Sequence, residues 1–418
     1  MNNVKVRYAP SPTGIPHIGN IRTALFNFLF AKNQGGEFML RIEDTDRKRL
    51  VPESVVKIKD SLRALGISWD REELQSERLE IYKKDLEKLK RAGNVYESEG
   101  AWFFKIPEGK NLEWVDAIHG KISFNSDSQQ DFVVIKSDGF PTYHFASVVD
   151  DYDMQISHVF RGDEWISSTP KHLLLYEALG YKPPIFVHLP PIMGTSGKKL
   201  SKREGAESVF YFLDQGYLPE AIVNFLAFLG WSPKSDRELY SEEDLTREFS
   251  LDRINKNSPV FNLEKLNWFN KEWIKNIDQE DLEKRIKQHN PHFATTNIKN
   301  IIPLAKERMK TLNSFTDLAD FFVNAPKIDS IPPIEINIEN LKTSAKELEK
   351  LKSWTSAAIK DKIDICSKDL GIDRIALISA IRNVISGKTV TPPLYESKEI
   401  LGKVETTRRI NEYLDKNT

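Results

Sequence analysis

Residues 4–20 read VKVRYAPSPTGIPHIGN. Val4, Val6 and Tyr8 alternate with Lys5 and Arg7, the two-residue period of a strand. Pro10, Pro12, Gly14 and Pro16 break regular structure, so the chain must turn. Beyond Gly19, Ile21, Leu25, Phe28 and Leu29 recur at helical spacing. The order is strand, stiff loop, helix. The unpaired N–H groups and positive dipole end of a helix start make a seat for phosphate. Neither Gly-x-Gly-x-x-Gly nor Gly-x-x-x-x-Gly-Lys-Ser/Thr is present, which leaves a third way of seating a nucleotide.

The pattern continues outward from that stretch. Phe38, Leu40 and Ile42 alternate in a second strand, Glu37 to Ile42, that runs into Glu43-Asp44-Thr45-Asp46. Carboxylates there stand at the carboxyl edge of a parallel sheet, where such folds bind ligands; Thr45 and Asp46 also read as turn and cap residues. Helices are expected from Pro52 to Gly66 and from Glu77 to Ala92, the second stopped by Gly93. Strand-like pieces at Ala101 to Ile106, Lys121 to Phe124 and Asp131 to Lys136 read as a small antiparallel insertion. Trp102, Phe103, Phe104 and Trp114 are expected in its core rather than as base-stacking platforms. The α/β pattern returns with a turn at 139–144 leading into Phe145 to Val149. A strand from Ile156 to Phe160, a helix from Ser168 to Leu179 and a strand from Ile185 to Leu189 follow. Asp150, Asp151 and Asp153 invite a metal, but the Gly and terminal Glu of a calcium loop are missing. Arg7 and Arg161 both end strands at the ligand edge, and a guanidinium can hold a carboxylate by two bonds. The stretch 194-GTSGKKLSKREGAES-208 reads as a mobile loop. Beyond it the signals are helical: Ile222, Phe225, Leu226 and Leu229 on one face, and Leu377, Ile381 and Val384 on another, stopped by Gly387.

At 418 residues the chain is too long for one core and implies two to four domains. Its net charge of −1 announces no global attraction to nucleic acid, so such a partner would need a local basic face. A single cysteine, Cys366, excludes an internal disulfide framework and CxxC zinc sites, and reads as a small core residue. No basic-then-apolar leader pattern opens the sequence and no apolar run is long enough to span a bilayer, so a cytoplasmic protein without membrane association is expected.

His17-Ile18-Gly19-Asn20 resembles the HIGH signature of class I aminoacyl-tRNA synthetases, and Lys199-Leu200-Ser201-Lys202-Arg203 resembles their KMSKS signature. Alone, a histidine at a helix start is more often a cap, and a Gly/Lys loop is more often merely solvated; the two motifs in order alter that balance. RYAPSPTGIPHIGN, FMLRIEDTDR, GFPTYHFASVVDDYDM, VFRGDEWISSTPKHLLLYEALG and KKLSKREGAESV together are similar to the glutamyl-tRNA synthetases of bacterial type. The resemblance implies an α/β fold: a doubly wound, parallel-sheet, Rossmann-like catalytic domain (1–75 and 141–205) with a small α+β acceptor-end insertion (76–140). An all-helical half follows, with a stem-contact domain (206–299) and an anticodon-binding domain (300–418).

It further implies ATP-driven attachment of L-glutamate to tRNA. His17, Lys199 and Lys202 would be catalytic. Arg7, Ser11, Glu43, Tyr143, Ser147 and Arg161 would surround glutamate, Glu43 suiting the α-ammonium group. His17, Asn20, Glu164, Ile192 and Lys199, Leu200, Ser201, Lys202 and Arg203 would bind ATP. Mg²⁺ would arrive with ATP, with no structural zinc. The partner would be tRNA-Glu, with tRNA-Gln left open, and the protein a monomer. Two departures stand out: the segment between Tyr96 and Trp102 is short where relatives carry a longer insertion, often with zinc ligands, and Ser147 replaces a common asparagine. Competing readings are a short paralogue that glutamylates queuosine in tRNA, a non-catalytic descendant and a small adenylyltransferase. The first lacks the helical half, the second would have lost His17 or the loop lysines, and the third does not account for the length.

Overall fold

The computed structural model describes residues 4–201 and 207–417. They form two compact units, one made of the chain up to Leu213 together with Pro219–Phe269, the other of Asp214–Leu218 and the chain from Asn270 onward.

The first unit begins with β1 (Lys5–Tyr8), α1 (Ile18–Asn33), β2 (Glu37–Ile42), α2 (Pro52–Arg63) and β3 (Arg71–Leu74). β1 pairs parallel with β2 (Lys5 opposite Glu37, Tyr8 opposite Leu40), and β2 parallel with β3. β3 was not expected: its sequence Arg-Glu-Glu-Leu shows no apolar alternation because it lies at the sheet edge and is half exposed. α1 is buried on almost every side, not only on the face of Ile21 and Leu25. Other helices of the same unit cover its second face, and Phe26 meets Phe249 edge-on with ring centres 5.2 Å apart.

The insertion follows as α3 (Leu79–Arg91), β4 (Val95–Ser98), β5 (Ala101–Phe104), β6 (Asn111–Asp116), β7 (Gly120–Asn125) and β8 (Phe132–Ile135). β4, β5 and β8 make an antiparallel sheet, and β6 and β7 a hairpin. Phe104 and Trp114 are buried in its core and Trp102 packs partly against it, as expected, whereas Phe103 is half-buried on the other face of β5 and stacks on Tyr96. The hairpin meets the main sheet by its turn, where Ala117 N–H donates to the carbonyl of Phe186 at 2.9 Å.

The chain then forms α4 (Tyr143–Asp153), β9 (His158–Gly162), α5 (Thr169–Leu179) and β10 (Ile185–Leu189). Phe145 to Val149 is thus the heart of a helix. β9 pairs parallel with β10. β9 lies beside β1, to which Ser157 N–H ties it through the carbonyl of Lys5 (2.8 Å), so the strands run β3-β2-β1-β9-β10. Crossovers wind outward from β1 in one direction and from β9 in the other. The carboxyl ends of β1 and β9 therefore flank a topological switch point, the crevice where open α/β sheets bind ligands. Helices α6 (Val209–Asp214), α7 (Pro219–Phe228) and α8 (Glu242–Glu248) continue the unit, and α9 (Leu263–Asn276) starts in it.

The second unit contains α10 (Gln279–His289), α11 (Ile302–Lys306), α12 (Asn313–Ala319), α13 (Ile338–Glu349), α14 (Ser356–Asp369), α15 (Arg374–Ser386), α16 (Leu394–Leu401) and α17 (Lys403–Asn417). Among the described residues no strand follows β10. Leu341, Ile359, Ile363, Leu377, Ile381, Val384, Ile410 and Leu414 form a shared core with Cys366. α15 stops at Gly387, whose φ of 68° fits the expected glycine stop. Lys398 of α16 is wholly buried and its ammonium has no hydrogen-bond partner; burial pushes its pKa down to about 7. No described helix is long and apolar enough to cross a membrane.

Candidate active site

The first wall of the crevice is the helix start reached from β1. His17 is the N-cap of α1, and its Nδ1 accepts from Gly19 N–H at 3.0 Å. Cap and function are compatible: with Nδ1 used as an acceptor, the neutral ring carries its proton on Nε2. Burial and the charge of Lys199 hold the imidazole pKa below its usual value, against an opposing pull from Glu164. Gly19 is required by contact, since a Cβ there would lie 2.8 Å from His17 Cε1 and 3.9 Å from Ile192 Cδ1. The same wall is strapped to the lysine loop: Ile18 N–H donates to the carbonyl of Glu207 (3.1 Å), and Leu200 N–H to that of Ile192 (2.9 Å). Lys199 Nζ stands 3.9 Å from Glu164, both side chains exposed. Asn20 is exposed on the first turn, and Ser201 is exposed at the end of the described loop. Lys202 and Arg203 lie outside the described residues.

The second wall is a buried ion network. Arg7 donates from Nε to Asp151 Oδ1 (2.9 Å), from Nη2 to Oδ2 (3.3 Å) and from Nη1 to the carbonyl of Phe160 (3.3 Å). Arg41 bonds Asp151 (2.7 Å) and Glu43 (3.1 Å). Asp150 takes bonds from Gln75, Arg78 and Tyr82, each at 2.8 Å, while Asp153 pairs with Arg78. The three aspartates therefore serve arginines, and the metal they invited in sequence is not what they hold. Glu43 N–H donates to the carbonyl of Pro10 at 3.0 Å, which ties the end of β2 to the proline loop. Burial pushes the Glu43 carboxyl up to about 7 against the pull of Arg41 and Arg7.

The third wall surrounds Arg161. Its Nε donates to His188 Nε2 (3.0 Å), Nη2 to Thr169 Oγ (2.7 Å), and Nη1 lies 3.3 Å from His172 Nδ1. His172 Nε2 is 3.0 Å from His144 Nδ1. Burial and the Arg161 charge hold His172 well below the usual imidazole range, and burial holds His144 at about 4, so both rings stay neutral. Among the described residues no carboxylate forms an ion pair with Arg161. The Tyr143 ring lies tilted against Trp165 with ring centres 4.3 Å apart; burial raises its hydroxyl pKa, with Arg161, Glu43, Arg7 and Asp151 all close enough to act on it. Ser147 is fully buried with an unpartnered Oγ, whereas Ser11 is exposed on the proline loop.

Residues 3–101 and 102–268 match the family of class I tRNA synthetases (E and Q), catalytic domain, and residues 263–414 match an anticodon binding domain. This chain belongs to the class I tRNA synthetases of the E and Q type. A glutamate–tRNA ligase of Dehalococcoides mccartyi (strain CBDB1) is 40% identical over 471 residues, covering 98% of this chain and 96% of that protein. One of Borreliella burgdorferi is 37% identical over 479 residues, covering 98% of each. A crystal structure of a glutamate tRNA ligase from Elizabethkingia meningosepticum, in complex with its amino acid, superposes with a TM-score of 0.89 at 30% identity, covering 99% of both chains.

In this synthetase the expected residues group as two sets. His17, Glu164, Ile192 and Lys199 gather at the helix start, while Arg7, Glu43, Tyr143 and Arg161 converge between β1 and β9. Sequence reasoning missed Arg41, Thr169, His172 and His188. His172 and Thr169 stand within VFRGDEWISSTPKHLLLYEALG on the helix that follows Arg161, and that helical spacing was the available signal. Arg41 stands within FMLRIEDTDR, a charge inside an otherwise apolar strand, which was its signal; His188 gave none beyond its place in a buried strand.

Proposed function

We propose that the chain is a glutamate–tRNA ligase, which activates L-glutamate with ATP and transfers it to the 3′-terminal ribose of tRNA-Glu. The observation that carries this reading is Arg161: a buried cation bonded only to neutral groups, close to the Tyr143 hydroxyl on which the Glu43 carboxylate also acts. Such a site offers a cation with no carboxylate paired to it to an anionic side chain, and Glu43, already bonded to Arg41 on one oxygen, to an ammonium group. Glutamine would bring NH₂ donors against guanidinium donors and be rejected without editing.

In the first step the α-carboxylate attacks the α-phosphorus of ATP, forming glutamyl-adenylate as pyrophosphate leaves. Arg7, Ser11, Tyr143, Ser147 and Arg161 orient the amino acid, with Glu43 on its ammonium group. His17 Nε2–H, Lys199 and, by the motif alone, Lys202 neutralise charge on the departing phosphates; Asn20, Glu164, Ile192, Leu200 and Ser201 are assigned to the nucleotide, and Arg203 joins them by the motif alone. Positioning and electrostatics supply the rate here. The aspartates near the pocket are engaged by arginines and do not fit a resident metal, so Mg²⁺ is assigned to ATP itself. In the second step the 2′-OH of the terminal ribose attacks the activated carbonyl and releases AMP.

The insertion 76–140 would receive the acceptor end, 206–299 the stem and 300–418 the anticodon. The 471-residue alignment exceeds the 418 residues of this chain, so that relative carries residues this chain lacks, and we assign the difference to the insertion. The protein is read as a cytoplasmic monomer. Charging of separate tRNA-Glu and tRNA-Gln transcripts with radiolabelled glutamate tests the reading. Labelled tRNA-Glu is expected, the tRNA-Gln arm decides the breadth of specificity, and no charging of either by folded protein with ATP and Mg²⁺ would overturn it.

A further inference from the structure

The bond from Arg161 to His188 continues beyond the pocket. His188 Nε2 accepts from the guanidinium, so the neutral ring carries its proton on Nδ1. That Nδ1 lies 2.6 Å from Asp116 Oδ2, both side chains having no solvent exposure. Asp116 is not part of the main sheet: it ends β6, at the turn of the insertion hairpin. Its Oδ1 accepts from Ile118 N–H (2.9 Å) and His119 N–H (3.0 Å), and Oδ2 also accepts from His188 N–H (3.3 Å). Every near neighbour of the carboxylate is therefore a donor. A second link runs alongside, His119 Nε2 to Asp163 Oδ1 at 2.9 Å, just after β9.

We propose that Asp116 is a positioning residue for glutamate: through His188 it fixes the direction in which Arg161 presents its remaining N–H groups to the substrate. The argument is one of donors and acceptors. Arg161 has five N–H bonds, of which three are committed to His188, Thr169 and His172. Two N–H bonds remain on the terminal nitrogens, with the Tyr143 hydroxyl also within hydrogen-bonding reach of the guanidinium, and such a pair can donate to a carboxylate. The direction of that pair is set by Nε, and Nε is held by a ring that Asp116 keeps in the accepting tautomer. If His188 carried its proton on Nε2, donor would face donor and the guanidinium would have to turn away. Asp116 touches no substrate and acts only through His188.

This rests on the glutamate reading, and the experiment separates the two. KM for glutamate, ATP and tRNA-Glu is measured in charging assays on wild type, Asp116→Asn, His188→Leu and the double variant, with thermal unfolding of each. Wild type that fails to charge glutamate removes the reading of function. Given a charging wild type, Asp116→Asn places an NH₂ among donors whichever way its amide faces. The glutamate KM is then expected to rise about 10–100-fold, with those for ATP and tRNA within a few-fold of wild type. The double variant is expected to lose no more for glutamate than His188→Leu alone, because the two residues act in series. His188→Gln, which keeps an acceptor toward Arg161 and a donor toward Asp116, is expected to fall between wild type and His188→Leu, and it serves should Asp116→Asn fail to fold. An unchanged glutamate KM in Asp116→Asn overturns the proposal. So do equal rises in all three constants, which report a disrupted hairpin, multiplied losses in the double variant, or His188→Gln as damaged as His188→Leu.

Discussion

Arg7 and Arg161 end neighbouring strands and open on one crevice, yet they are held in opposite ways. Arg7 shares a carboxylate with Arg41, in a cluster where Glu43, Asp150 and Asp151 balance Arg7, Arg41 and Arg78. Arg161 is held by two imidazoles and hydroxyl groups, and among the described residues no carboxylate pairs with it directly, Asp151 acting only from farther off. The first arrangement satisfies its charge within the protein and so holds the sheet together; the second leaves a charge for something else to satisfy. Two arginines that look equivalent in sequence thus differ in how much charge each leaves for a substrate: Arg7 orients from within a neutralised cluster, and Arg161 supplies the charge.

The sharpest way to break that difference is Asp151→Ala. It strands Arg7 and Arg41 in a buried site, and a loss of about 3–5 kcal/mol of stability is expected in denaturant unfolding. Arg161→Ala should do the reverse, leaving the unfolding midpoint near wild type while glutamate kcat/KM in charging falls by the equivalent of about 2–5 kcal/mol. If Arg161→Ala unfolds the protein, or Asp151→Ala leaves stability untouched, the distinction is wrong. Gly19→Ala probes the phosphate side: its Cβ displaces the His17 ring, and turnover should drop about a hundredfold, as for loss of one transition-state donor, with glutamate KM little changed.

Lys398 supplies a third case, a buried cation with neither carboxylate nor imidazole. Its folded pKa, pushed down to about 7, lies below the unfolded value. The unfolded chain binds the extra proton between those two values, so stability of the helical unit should rise with pH across that window and carry the full penalty below it. Lys398→Met should flatten the rise and add ~1–3 kcal/mol at neutral pH in calorimetry. The smallest effect concerns Glu43, whose folded pKa near 7 is raised by burial and faced by Arg41, Arg7 and Asp151. The folded protein binds the extra proton between the unfolded value and 7, so this group's stabilising contribution is lost as pH rises through 7. Substrate ammonium favours the ionised form, so glutamate binding should tighten severalfold from pH 6 to 8 in titrations, and Glu43→Gln should abolish the trend.

The strand–loop–helix at 4–33 and the strands bearing Arg7 and Arg161 were legible because their apolar periods are local, although burial does not follow the alternation: Val6, Arg7 and Tyr8 are all buried, as are Val159, Phe160 and Arg161. The polar edge strand 71–74 was not, since its exposed position removes the alternation that marks a strand. Partnerships were less legible still. Asp151 reads as one of three aspartates and becomes the counter-ion of Arg7 across 144 residues of chain, a contact that only the winding of the sheet creates. His188 reads as an ordinary residue of a buried strand, and its role depends on a hairpin 72 residues earlier.

That hairpin enters the main sheet turn first, with residues 116–119 at the contact and the open ends of β6 and β7 pointing back into the insertion. A module moored by its tip can be lengthened, trimmed or exchanged at its far end without disturbing the mooring. The same arrangement gives a protein engineer a rule for grafting: carry Asp116 to His119 with the hairpin, and treat the segment between β4 and β5, outside that contact, as the place where length is free.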